Sequence, residues 1–177
     1  MSRNINYKDN LFERANLNPI RGEPTFKTIH KLRNEIKSNI KSVWSNLWGW
    51  VHGHLGLLLT DAHYALISPT PFAYPTHPGP LIILDGTNAH TNSNMQIVHT
   101  EEVRLFLEVT GVEQALVQQI FGTVEEAYLS DIRNRTTNFI NNTVVSVLKH
   151  LQEKYGQLIP HELLDWEEIV SERKCSW

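Results

Sequence analysis

Apolar residues recur along this chain at helical spacing, and the breaks in that spacing mark its elements. From Val112 to Tyr155 two stripes run back to back across a polar break. Val117, Phe121, Val124, Tyr128 and Ile132 follow one another at steps of four, three, four and four, and Ile140, Val144, Val147, Leu148, Leu151 and Tyr155 continue in the same way. A period close to 3.6 residues puts such positions on one face. Two amphipathic helices are expected, and the rest of the chain must help to cover them.

A third stripe, Ile29, Leu32, Ile36, Ile40, Val43 and Leu47, begins just after Pro24-Thr25, and proline is at home in a first helical turn. Lys27, Lys31, Arg33, Lys37 and Lys41 fall mostly off this stripe, so the helix should be basic outside and apolar inside. Residues 1–23 mix Asn, Arg and Lys with Leu11, Phe12, Leu17 and Ile20, and read as an irregular or loosely docked polar arm. Trp44, Trp48 and Trp50 stand beside Gly49, Gly53 and Gly56, which suggests a corner where large rings cover helix ends. Thr60 reads as the N-cap of a short helix from Asp61 to Ile67.

The character changes between residues 68 and 98. Five prolines in twelve residues (Pro69, Pro71, Pro75, Pro78, Pro80) exclude a helix and a central strand, so a long proline-rich loop is expected. Within it Leu81-Ile82-Ile83-Leu84 reads as a short buried run or one small strand, and Thr87 to Asn94 as mobile. Thr100 should open the next helix, with Glu101 and Glu102 in its first turn and Gly111 ending or bending it. Gly156 should close the helix that ends at Tyr155, and Pro160 should start a last one. The expected fold is therefore mostly α: a bundle of about five to six helices in one domain, residues 24–170, followed by an unpatterned tail, 171–177.

Composition agrees with an ordinary soluble domain: 177 residues, 41% hydrophobic and 20% charged. No apolar run approaches the roughly 20 residues that span a bilayer. A single cysteine, Cys175, leaves no internal disulfide and no cysteine-based zinc site, and with no apolar leader it favours a cytoplasmic home. Charge changes the picture more. Residues 1–41 carry nine Lys and Arg against four acids, a balance of +5, whereas residues 42–177 carry seven against fifteen, a balance of −8. A basic front and an acidic back fit a polyanion partner, contact between copies, or simply a solvated lysine-rich face.

Candidate chemistry is sparse. His52 and His54 have a real ligand spacing for a strand, but the carboxylate that a cupin-like site needs four residues further on is Leu58. The zinc signature His-Glu-x-x-His, the Gly-x-Ser-x-Gly nucleophile turn and the phosphate-binding Gly-x-x-x-x-Gly-Lys pattern do not occur. No catalytic residue, metal site or cofactor is nominated, and the chain reads as a non-enzyme. A metal-binding protein using the His52/His54 corner and a plain helical interaction module are the alternatives.

One succession of motifs carries a resemblance. Ile20-Arg21-Gly22-Glu23-Pro24-Thr25, then His52-Gly53-His54-Leu55-Gly56-Leu57, then the proline-rich loop, then the block from Val147 to Leu163 with Leu151-Gln152-Glu153-Lys154-Tyr155-Gly156-Gln157-Leu158, resemble the Gag-like region of Ty1/copia-type retroelement polyproteins. The resemblance covers roughly residues 15–170. It implies an α-helical domain like a capsid N-terminal domain, which self-associates around its own RNA. The chain departs from the pattern in having Trp48-Gly49-Trp50 and no Cys-Cys-His-Cys knuckle. The resemblance marks no functional residue. From charge alone, Lys27, Lys31, Lys37 and Lys41 are the expected nucleic-acid-binding set, making non-specific, salt-sensitive phosphate contacts.

Overall fold

The computed structural model describes residues 12–45, 52–133, 136 and 142–157. The earliest expected helix forms where the apolar stripe placed it. Thr25 and Thr28 close a reciprocal cap: Thr25 Oγ1 accepts from the Thr28 amide, and Thr28 Oγ1 accepts from the Thr25 amide at 2.8 Å. Helix α1 (Phe26–Ser42) follows and buries Ile29, Leu32, Ile36 and Ile40. Val43, its C-cap, is buried too, and Leu47 lies outside the described residues.

Three further α-helices complete the described part, which is mostly α and contains no β-strand: α2 (Asp61–Tyr64), α3 (Ala89–Thr123) and α4 (Val144–Tyr155). Single 3-10 turns stand at Leu55–Leu57, Glu126–Tyr128 and Ser130–Ile132. Thr60 and Thr143 N-cap α2 and α4, each accepting a hydrogen bond from the amide three residues on. Helix α4 lays Val144, Val147, Leu148 and Leu151 against α1 and α3. The apolar centre, with Ile36, Ile40, Val112, Leu116, Ile120, Val147 and Leu151 all essentially solvent-free, sits where these three meet.

Helix α3 departs most from expectation. It runs unbroken for 35 residues, about 52 Å, and so absorbs the stretch 89–98 that reads as loop and the expected start at Thr100. Asn88 caps it, accepting from the Thr91 amide at 2.8 Å. Ser93, Thr100 and Thr110 turn their hydroxyls back onto the carbonyls of Ala89, Gln96 and Phe106, so polar residues that suit a loop are satisfied within the helix. Gly111 is accommodated in its interior. The helix stops at Val124, whose backbone is extended, so Tyr128 and Ile132 keep helical spacing in sequence but stand in 3-10 turns. Ile140, the expected helix after Pro160 and the tail 171–177 lie outside the described residues.

The proline-rich segment, residues 68–88, is a strap rather than a strand. Tyr74 Oη donates to Glu113 Oε2 at 2.8 Å, His77 stands edge-on to Phe106 at 5.0 Å, and the His99 ring meets the Gly79 carbonyl at 2.8 Å. Strap positions 74, 77 and 79 thus meet helix positions 113, 106 and 99, an antiparallel run. Fourteen helical residues rise about 21 Å, more than the roughly 18 Å that five residues can span, so the reach of the Tyr74 and Glu113 side chains makes up the difference. Leu81 to Leu84 is neither buried nor a strand, and Ile82, Ile83 and Leu84 are exposed. At the base of the strap Phe72 packs edge-on to His54 and Tyr64. A Cβ on Gly56 would fall inside the Phe72 ring, which is why glycine stands there.

Residues 12–24 are irregular, as expected, but they are firmly tied down. Phe12, Leu17 and Ile20 enter the core, and the Ile20 amide donates to the Thr123 carbonyl at 2.9 Å, forming an isolated parallel bridge with Val124. Buried polar residues of α1 and α3 hold the rest. Asn39 accepts from the Arg14 amide and donates to the Arg14 carbonyl, each at 2.9 Å, while Gln119 donates to the carbonyls of Arg14 and Ala15. Glu35 accepts from the Asn18 amide at 3.0 Å and from its side chain.

Candidate functional site

The histidine corner is a helix clamp. The last carbonyls of an α-helix have no partner within it and must find one elsewhere. Here the His54 amide donates to the Ile40 carbonyl at 3.1 Å, and His54 Nδ1 lies 3.2 Å from the Val43 carbonyl. Gly53 makes the approach possible. Its φ is +55°, and the carbonyl oxygens of Ile40, Lys41 and Val43 stand 2.6–2.7 Å from where a Cβ would be. His54 is fully buried, with Nε2 3.5 Å from Glu108 Oε1 and making no hydrogen bond. This ring is committed to the end of α1, the role expected of the tryptophans; Trp44 is instead exposed, and Trp48 and Trp50 lie outside the described residues. Among the described residues no three His, Cys, Asp or Glu side chains converge as metal ligands.

The basic face of α1 is where the periodicity placed it. At about 100° per residue, Lys27, Lys31, Lys41, Lys37 and Arg33 fan over one side of the helix, opposite Ile29, Ile36 and Ile40. All five are exposed. Glu35, the one acid of this helix, is turned inward and held by Asn18 and by Arg14, whose guanidinium lies 3.7 Å away. No ion pair ties any of the five cations to an acid among the described residues. Most surface cations elsewhere are paired among the described residues, Arg104 with Glu101 and Glu108, Arg133 with Glu126, Lys149 with Glu153, Lys154 with Asp131, whereas exposed Arg21 has no ion pair there. Those pairs leave their mark. The guanidinium of Arg104 holds the Glu101 carboxyl below its usual range, and Asp131 holds the Lys154 ammonium above its own. Among the described residues the α1 cations form an uncompensated positive stripe, about 20 Å long from Lys27 to Lys41.

A second surface lies on the first half of α3 and its strap. The first half of α3 and its strap project beyond the core as an arm. Ile97 and Val98 are 66% and 56% exposed, and Ile82 and Leu84 about as much. The arm is also nearly free of charge: from Ala62 to Thr100 the sole formally charged residue is Asp85. That signal was open to sequence reasoning as a gap in charge across 39 residues of a chain that is 20% charged. Between α1 and α4 runs a shallow groove of about 320 Å³, floored by Ile29, Leu58 and Leu148 and rimmed by Arg33 and Lys149. Beyond Arg33 its rim carries the Lys149–Glu153 ion pair, which adds no net charge to the basic face.

Glu35, Asn39 and Gln119 are the structural residues that periodicity missed. Each stands at a core-facing position among apolar neighbours, and a polar residue in such a place is the signal that could have found them. No helix among the described residues is long and apolar enough to cross a membrane. No protein-family model, curated protein or solved structure matches the chain.

Proposed function

We propose that this chain is a non-enzymatic, self-associating structural protein, a capsid-like bundle of five to six helices of retroelement type, which works in the cytoplasm and lays α1 along the phosphates of RNA. The observation that carries the reading is the basic face of α1: five exposed cations on one side of a capped, rigid helix, with its one acid turned inward. A row of unpaired cations is the surface that a polyanion neutralises with release of counterions. Its contacts are electrostatic and read no sequence. The motif resemblance from Ile20 to Leu163 supports the same reading.

Mass in solution tests the reading. Light scattering after size exclusion, over a range of protein concentrations with and without single-stranded RNA, should show species heavier than the 20.4 kDa chain that RNA promotes. A mass of 20.4 kDa under every condition would overturn it.

The uncharged arm favours a second reading, a helical docking module without RNA. In that case association would proceed equally well with and without RNA.

A further inference from the structure

The stripe that α3 buries in the core does not end where the core ends. Val112 is solvent-free; seven residues before it Leu105 is partly buried on the core, and seven before that Val98 is exposed. Repeats of seven keep side chains on one seam of a helix. The seam therefore continues into solvent along the arm, beside Ile97. A surface that only meets water normally carries about a quarter to a third charged residues, whereas the centres of protein interfaces are depleted in charge. Residues 86–100 carry none.

We infer that the arm is the contact surface between two copies of this chain, α3 packing antiparallel on α3 about a two-fold axis near Ile97 and Val98. This rests on the proposed self-association and names the surface that performs it. Charge selects the occupant. A foreign partner is chosen and steered by complementary charges, and this arm offers no pattern to choose by; a neutral surface meets its own copy without repulsion. For the same reason it has nothing to offer the five cations of a second copy's α1. Charge also selects the direction. Side by side and parallel, Glu101 and Glu102 would face their own copies. Crossed antiparallel at 97/98, they face Asn94 and Ser93, and Arg104 faces Thr91. The two cores, each part of a chain of net charge −3, then lie at opposite ends.

The size of the surface is sufficient. Helix and strap from Ala89 to Leu107 present a face about 28 Å long and about 20 Å wide, roughly 600 Å² on each copy. Both together clear the roughly 1,000 Å² that a specific interface needs. The contact is isologous and closes at two copies, so larger assembly needs another surface or RNA.

The test uses the full chain with Cys175→Ser and one new cysteine. Under mild oxidation Val98→Cys should give a covalent dimer at twice the chain mass, and Lys31→Cys, on the basic face, should not. Separately, Ile97→Glu with Val98→Glu should weaken concentration-dependent dimerisation at least about tenfold. Both side chains are exposed, so circular dichroism should match the parent. Cross-linking that is equal at both cysteines, or dimerisation that the double variant leaves unchanged, overturns the inference while self-association stands. A parent chain that stays monomeric at every concentration without RNA overturns the inference, and one that also stays monomeric with RNA overturns the proposed self-association with it.

Discussion

Asn39 and Gln119 meet side chain to side chain in the core, 80 positions apart in sequence: Asn39 Nδ2 donates to Gln119 Oε1 at 2.9 Å, and both amides donate onward to the Arg14 carbonyl. This junction locks α1, α3 and the segment before α1 into one body, so that the basic face is presented by a fixed helix. Asn39→Leu keeps the branched shape, though with greater bulk, and strands the Arg14 amide and Gln119 Oε1. An unsatisfied buried group costs about 1–3 kcal/mol. Urea unfolding should show a loss of about 2 kcal/mol or more; no change would mean that the junction is not cooperative.

Two glycines with positive φ should respond differently to alanine. Gly22, at φ +75°, has open space around it, so Gly22→Ala costs only the left-handed backbone penalty of about 1–2 kcal/mol. Gly53→Ala pays that and also drives a methyl against three helix carbonyls. Its loss should exceed that of Gly22→Ala by at least about 2 kcal/mol. Equal losses in thermal or urea unfolding would contradict the clamp at the end of α1.

The histidine corner should be indifferent to metal. With the His54 ring fully buried and its Nδ1 against the Val43 carbonyl, neither a strong chelator nor excess zinc should move the melting temperature of the protein as purified. A rise with zinc that His54→Gln abolishes would restore the metal reading.

The strap carries a pH signature. Burial, reinforced by the hydrogen bond and negative charge of Glu113, pushes the Tyr74 phenol up to about 12. A group whose folded value is raised stabilises fully below its unfolded value, near 10, and loses that contribution as pH rises through the folded one. The strap should therefore hold to pH 10 and loosen between 10 and 12. Ultraviolet titration of the parent against Tyr74→Phe should show one phenol ionising near 12; an ordinary value near 10 would mean that Tyr74 does not bond Glu113.

Much of this architecture is legible from spacing alone, and the exceptions have physical reasons. In α1 the capping pair and the unbroken apolar steps agree with each other. In α3 they conflict. The stretch from Thr87 to Asn94 is polar enough for a loop, yet it holds no glycine or proline after Gly86, begins with a good cap, and returns its hydroxyls to its own carbonyls. Tyr128 and Ile132 mislead in the opposite sense, because 3-10 turns keep a spacing close to that of a helix. The basic face was readable because exposure follows from periodicity. The Asn39–Gln119 junction was not, since it depends on which helices meet. The arm was missed because its evidence is an absence of charge, which marks no single residue.

The most direct measurement is the salt dependence of binding to a random single-stranded RNA, for the parent chain and for a variant with Lys27, Lys31, Lys37 and Lys41 changed to Gln. Four phosphate contacts predict a slope of log affinity against log salt near −3, so affinity should fall on the order of 100-fold between about 50 and 300 mM salt. The variant should bind weakly and with little of that slope. Equal affinity at both salts, or a variant that binds like the parent, would contradict a phosphate-facing α1.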